Sequence, residues 1–121
     1  MAAPAAQPNV VIFLADDLGW GNVGYHGSEG QTPNIDRLAR EGVRFEQFYS
    51  YPVCSPTRAA LLTGRSPMRY GIVYSVVRPW ANYGLPLDEH ILPQTFKAAG
   101  YQTAITGKWH LGHAHVKQLP H

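Results

Sequence analysis

A run of six apolar residues constrains the fold of this chain more than any other feature. Val10 to Ala15 is apolar at every position, and two acidic residues, Asp16 and Asp17, follow it directly. Such a run favours a central parallel strand, covered on both faces, over an alternating surface strand. Ligands bind at the carboxyl ends of the strands in open α/β sheets. Asp16 and Asp17 are therefore candidate functional residues.

Helix signals occur at three places further along the chain. Thr32 and Pro33 supply an N-cap and a first-turn proline for a helix that Gly42 ends. A later helix is predicted to begin at Asp88, a suitable N-cap, and to end at Gly100.

Between these two lies a helix that carries the single cysteine at its start. Ser55 is a suitable N-cap, Pro56 fits the first helical position, and Gly64 closes the helix. Cys54 is therefore predicted at a helix N-terminus, with Arg58 about one turn further on.

Two further segments, 43–51 and 101–106, have the composition of strands. Strands that alternate with helices predict an α/β fold with a mainly parallel sheet and flanking helices. We expect residues 1–8, which are small and rich in Ala and Pro, to be a flexible segment that precedes the folded part, residues 9–121.

Composition excludes several classes of protein. Charged residues make up 15% of the chain and the formal net charge is +2, with no cluster of basic residues, so a nucleic-acid partner is not expected. No apolar run approaches the roughly 20 residues of a membrane-spanning helix. One cysteine cannot form an internal disulfide. Residues 1–8 lack the basic start and apolar core of an intact signal peptide.

The candidate residues each allow two interpretations. Asp16 and Asp17 are either solvated carboxylates or, in a sharp turn, ligands for a hard cation. Cys54 beside Arg58 is either a small buried residue or a chemically used one. Gly19 to Gly24 matches the G-x-G-x-x-G pattern of dinucleotide sites, but the residues that follow are poor helix formers, so we expect only a flexible loop.

Longer motifs resemble one enzyme family. Residues 54–65, C-S-P-T-R-A-A-L-L-T-G-R, resemble the first signature of the sulfatases, C-x-P-x-R followed by L-L-T-G-R. Residues 100–112, G-Y-Q-T-A-I-T-G-K-W-H-L-G, resemble the second, and the apolar run before Asp16 and Asp17 resembles the start of the family's metal site. The resemblance extends from Asn9 onward and points to the N-terminal portion of a type I sulfatase.

This resemblance implies an alkaline-phosphatase/sulfatase-like fold, of which residues 9–121 are the N-terminal portion of the catalytic domain. The chain would then hold only part of the parallel sheet. Residues 78–80, 86–89 and 108–110 are most similar to arylsulfatase B-like members, which implies a sulfated amino sugar of a glycosaminoglycan as substrate. A periplasmic, secreted or lysosomal location is also implied.

The resemblance further implies that Cys54 is not used as a thiol. In the family a formylglycine-generating enzyme converts this cysteine to an aldehyde, whose hydrate carries two geminal hydroxyls. One hydroxyl attacks the sulfur of a sulfate ester, and the other then expels sulfate and restores the aldehyde. Asp16, Asp17 and the modified Cys54 would bind Ca²⁺ or Mg²⁺.

Three other residues carry over from the family motifs. Arg58 would stabilise the oxyanion of the hydrate, and Lys108 and His110 would contact the sulfate group. His110 is also expected to assist the regeneration of the aldehyde.

Two alternatives remain open on the sequence. A phosphonate or phosphate monoester hydrolase of the same superfamily would share the modified cysteine and the metal site. A non-catalytic, truncated fragment would retain the motifs without activity, because the later Asp-Asn metal ligands of the family have no counterpart here.

Overall fold

The computed structural model describes residues 7–120, so most of the predicted flexible segment, residues 1–6, lies outside the described part. The chain divides into two compact units, Met1–Gln47 and Phe48–His121. The α-helices are α1 (Pro33–Glu41), α2 (Cys54–Thr63) and α3 (Leu92–Ala98). Short 3-10 turns lie at Trp20–Asn22, Gly24–His26, Pro67–Tyr70 and Val116–Gln118. No helix within residues 7–120 is long and apolar enough to cross a bilayer.

The predicted parallel sheet is not observed. Residues 10–15, 43–51 and 101–106 carry no strand, and none occurs elsewhere in residues 7–120. A strand requires a hydrogen-bonded neighbour, and these segments have no ladder partner in the described chain. The side chains of residues 10–14 are accordingly 38% to 89% exposed. Residues 10–15 have the apolar composition of a buried strand, but the described residues do not bury them.

In the first unit, α1 begins as predicted, with Thr32 as N-cap and Pro33 in the first turn. The Thr32 hydroxyl does not cap the helix, however. It donates to Asp36 Oδ1 at 2.8 Å and accepts from the Gly24 N–H at 2.7 Å. Asp36 Oδ1 also accepts from the Tyr25 N–H at 3.0 Å. The glycine-rich segment is thus folded against α1 through two backbone N–H groups.

The starts of the other two helices differ from the prediction. Helix α2 begins at Cys54, with Val53 rather than Ser55 as its N-cap. Helix α3 begins at Leu92 rather than after Asp88. Pro93 explains the shift, because a helix from residue 89 would need an N–H at position 93, which proline lacks. Starting at Leu92 places the proline in the first turn, where no N–H is required.

The second unit has a small apolar core on one side of α2. Its buried members are Ala59, Ile72, Val77, Ala81, Leu85 and Leu111, and Leu62, Tyr70, Ile91 and Trp109 pack against them. Burial raises the pKa of the Tyr70 phenol, and its hydrogen bond with Thr63 opposes this effect. The core links α2 to residues 72–85 and to Leu111, near the end of the second motif.

Two backbone segments meet closely in this core. The Leu85 N–H donates to the Leu111 carbonyl at 2.7 Å. A Cβ at Gly84 would lie 2.5 Å from the Leu111 oxygen and 2.7 Å from the Gly112 Cα. Glycine at position 84 is therefore required by the close approach of the segment that contains Leu111 and Gly112.

We expect Gly84→Ala to destabilise the protein by about 1–3 kcal/mol, because main-chain atoms must move to accept the methyl group. Thermal unfolding of the full-length protein measures the effect. Gly21→Ala is the matched control, since a Cβ there meets nothing within 4 Å. An equal loss of stability in the two variants would contradict the close approach.

Candidate active site

Cys54 is the first residue of α2, where the chain changes from extended backbone at Val53 to helix. Pro56, two residues further on, also lies in the first turn. A backbone N–H makes no intrahelical hydrogen bond at this place, so the helix loses nothing by having proline there. The Cys54 thiol is free and half-buried. The prediction that Cys54 lies at a helix N-terminus is confirmed, and the helix dipole favours negative charge at this position.

The second motif forms an irregular loop over residues 107–112. Its backbone is left-handed at Gly107 (φ 96°), His110 (φ 60°) and Gly112 (φ 127°). Glycine adopts such angles readily, but a histidine does so at a cost. A non-glycine residue persists in this conformation only when its surroundings hold it there.

The first turn of α2 supplies contacts that hold His110. Cys54 Sγ lies 3.1 Å from His110 Nδ1, a hydrogen-bond distance for sulfur. The Ser55 hydroxyl donates to the His110 carbonyl at 2.7 Å and accepts from the Val77 N–H at 3.0 Å. The side chain and the main chain of His110 are thus both bound to consecutive residues of α2.

Arg58, one turn further along α2, contacts the same loop. Its Nη1 donates to the Lys108 carbonyl at 2.6 Å. The Lys108 side chain is exposed, while Arg58 and His110 are half-buried. The structure therefore brings together four of the predicted site residues, Cys54, Arg58, Lys108 and His110, and they include two cationic side chains that can attract an anionic group.

Asp16 and Asp17 belong to the first unit. The chain bends at these two residues, and Asp17 has a left-handed backbone with φ 56°. Both side chains are exposed. No group of three or more His, Cys, Asp or Glu residues suited to a metal ion occurs within residues 7–120. The two carboxylates are ligands of the type that Ca²⁺ and Mg²⁺ prefer, but they do not by themselves complete a coordination shell.

Sequence reasoning missed two parts of this site. Ser55 was predicted only as an N-cap, yet its hydroxyl joins two distant segments of the chain. No sequence pattern indicated Val77, because it contributes a backbone N–H and not its side chain.

Outside the site, Arg65, at the end of the first motif, pairs with Glu89. Its Nη1 lies 2.7 Å from each carboxylate oxygen. This pair ties the end of α2 to the segment before α3.

Comparisons with known proteins agree with these motifs. A family model described as Sulfatase matches residues 8–118. N-acetylgalactosamine-6-sulfatase of Rattus norvegicus is 50% identical over an alignment that covers 93% of this chain and 24% of that protein. Arylsulfatase A of Bos taurus is 50% identical, covering 91% and 22%, and arylsulfatase J of Mus musculus is 47% identical, covering 91% and 18%.

A solved structure shows the same relationship at the level of the fold. The crystal structure of Ps i-CgsB superimposes with a TM-score of 0.79 and 39% identity, over 87% of this chain and 24% of that one. The likeness supports an alkaline-phosphatase/sulfatase-like fold. The chain spans about a fifth to a quarter of the length of the curated relatives named above. Since the family model matches nearly every residue and the relatives are about half identical, the chain belongs to the sulfatase family.

Proposed function

We propose that the protein carrying this chain hydrolyses sulfate esters, with Cys54 as the position of the nucleophile. The observation that carries the proposal is the contact between Cys54 at the start of α2 and His110 of the second motif, 3.1 Å apart. These two residues are 56 positions apart in the sequence, one in each of the two motifs, and their side chains are in direct contact. The family membership of the chain supports the same reaction class.

A formylglycine made from Cys54 would supply, as its hydrate, both the hydroxyl that attacks sulfur and the hydroxyl that later expels sulfate. The residues of this chain provide the surroundings for that group. The N-terminus of α2 favours negative charge at residue 54. His110 Nδ1 is within reach of a group on the Cys54 Cβ, so its imidazole is placed to give or take a proton there.

Positive charge is the second contribution of the chain. Arg58 is oriented by its bond to the Lys108 carbonyl, and the Lys108 side chain is exposed to solvent. A sulfate ester carries one negative charge, and charge shifts onto the leaving oxygen as the S–O bond breaks. Preorganised cations near that oxygen lower the barrier more than mobile water does.

A divalent cation fits the chemistry of the acidic pair. Asp16 and Asp17 follow one another at a bend, and carboxylate oxygens are the usual ligands of Ca²⁺ and Mg²⁺. We propose both residues as metal ligands. A bound cation would supply charge neutralisation for the sulfate oxygens.

The substrate class follows from the resemblance rather than from a pocket. We propose a sulfated amino sugar of a glycosaminoglycan, as for arylsulfatase B-like members, and maturation by a formylglycine-generating enzyme. A periplasmic, secreted or lysosomal location is proposed on the same ground. One relative is an N-acetylgalactosamine-6-sulfatase, a name that is compatible with a sulfated amino sugar as substrate.

Cys54→Ala in the full-length protein is expected to abolish hydrolysis of an aryl sulfate, because no aldehyde can form at an alanine. Folding should be retained, since Cys54 is only half-buried and alanine favours helix. Activity and thermal unfolding are measured on the same preparation. Met68→Ala is the control: it removes the side chain of a sulfur-containing residue that is 64% exposed, and its activity should stay near that of the wild type. Full activity in Cys54→Ala would overturn the mechanism.

Asp17→Asn should weaken the binding of Ca²⁺ by about tenfold or more, because one anionic ligand is lost. Asparagine tolerates the left-handed backbone of position 17, so the substitution changes charge without adding strain. Calorimetric titration of Ca²⁺ into the metal-stripped protein gives the affinity, independently of activity. Glu29→Gln, an exposed carboxylate of the same unit, serves as control. Unchanged affinity in Asp17→Asn would remove Asp17 from the metal site.

The reacting atom is tested with a matched pair of substrates. An aryl sulfate and an aryl phosphonate monoester with the same leaving group carry one negative charge each and have similar shapes. We expect kcat/KM of the full-length protein to be higher for the sulfate. A preference for the phosphonate would instead assign the protein to the phosphonate hydrolases of the superfamily.

A further inference from the structure

Ser55 lies between the two motifs, and its side chain is completely buried. Its hydroxyl makes two hydrogen bonds, donating to the His110 carbonyl at 2.7 Å and accepting from the Val77 N–H at 3.0 Å. These partners lie 55 and 22 residues away in the sequence. One hydroxyl group therefore joins three segments of the second unit at the point where Cys54 meets His110.

The N-cap role suggested by sequence does not account for these contacts. Helix α2 begins one residue before Ser55, and its N-cap is Val53, with no side-chain capping bond. The Ser55 hydroxyl is directed away from the N–H groups of its own helix and towards the loop 107–112. A serine that served α2 alone would donate or accept within the first turn.

His110 needs such a partner because of its backbone. Its φ of 60° is unfavourable for a residue with a Cβ, and the neighbouring loop residues form no helix or strand that would fix it. The bond from Ser55 fixes the carbonyl of His110, and Leu111, fully buried in the core, anchors the next residue. With the main chain held at the His110 carbonyl and at the next residue, the imidazole lies against Cys54.

We propose that Ser55 is a positioning residue: its hydroxyl holds His110 in the left-handed conformation that places Nδ1 against the reactive group at residue 54. The consequence for catalysis rests on the proposed sulfatase function. The positioning itself concerns only the contact between residues 54 and 110, so it is measurable without turnover.

The first test uses the thiol form of the full-length protein, prepared without the formylglycine-generating enzyme. The rate at which iodoacetamide alkylates Cys54 is followed by mass spectrometry of the peptide that contains it. Loss of the His110 imidazole in His110→Ala should change this rate, and Ser55→Ala should change it in the same direction, each by about threefold or more. In the His110→Ala background, Ser55→Ala should have no further effect, because the group it positions is already absent.

Rescue and control variants separate positioning from stability. Ser55→Thr keeps the hydroxyl and should restore the wild-type alkylation rate, whereas Ser55→Val, which has the shape of threonine, should not. Thr63→Val removes a hydroxyl that bonds the Ala59 carbonyl and Tyr70 at the other end of α2. It should lower the thermal midpoint and leave the alkylation rate of Cys54 unchanged.

The second test uses the mature enzyme, with rates normalised to the formylglycine content. Ser55→Ala should lower kcat for an aryl sulfate by about tenfold or more, with KM changed by less than about threefold, since a misplaced catalytic group affects the transition state more than substrate binding. Ser55→Thr should recover most of kcat.

Three results would overturn the proposal. The first is an alkylation rate that Ser55→Ala leaves unchanged while the thermal midpoint falls, as in Thr63→Val. The second is an effect of Ser55→Ala that persists in full in the His110→Ala background. The third is failure of both Ser55→Ala and Ser55→Val to fold, which would make the hydroxyl a stability element alone. A wild-type protein without sulfatase activity, but with the expected thiol results, would overturn the proposed function and leave the positioning role supported.

Discussion

The attachment of the loop 107–112 to the first turn of α2 is the constraint on which the candidate site depends. The loop has no helix or strand of its own, so its shape is set by what binds its main chain. Ser55 binds the carbonyl of His110 and Arg58 binds that of Lys108. Ser55 and Arg58 are three residues apart, so they lie on the same face of α2. This face of the helix therefore holds the loop at two of its carbonyl groups. The first family signature thus supplies the helix side of this contact, and the second supplies the loop.

Local signals predicted the helices and the position of Cys54, because these depend on residues close in sequence. A proline in the first turn and a glycine at the end define each helix, whatever the rest of the chain does. The error at α3 was also local: Asp88 is a good N-cap, but Pro93 decides where the helix can begin. Short-range sterics outweigh a capping preference, since a missing interior N–H costs more than a cap contributes.

The sheet and the role of Ser55 were not predictable in the same way. Residues 10–15 are apolar because they are suited to burial on both faces, but strand pairing needs neighbours, and no strand forms within residues 7–120. The contacts of Ser55 span 22 and 55 residues, and one of them uses the backbone of Val77, whose side chain carries no information about it. Patterns of three or four residues report local structure, whereas these features depend on tertiary structure.

Asp17 and His110 are the two non-glycine residues with positive φ in the described part of the chain, and each lies in a motif assigned to the site. Strained backbone of this kind concentrates at functional sites. The two cases differ in what sustains the strain. Aspartate tolerates the left-handed region because its short polar side chain can form hydrogen bonds with nearby main-chain groups. The positive φ of Asp17 therefore requires little support from residues distant in the sequence. Histidine is less suited to it, and His110 is fixed by α2 and by the buried Leu111. The backbone conformation of Asp17 is therefore one that an aspartate adopts with little cost, while that of His110 depends on the tertiary structure.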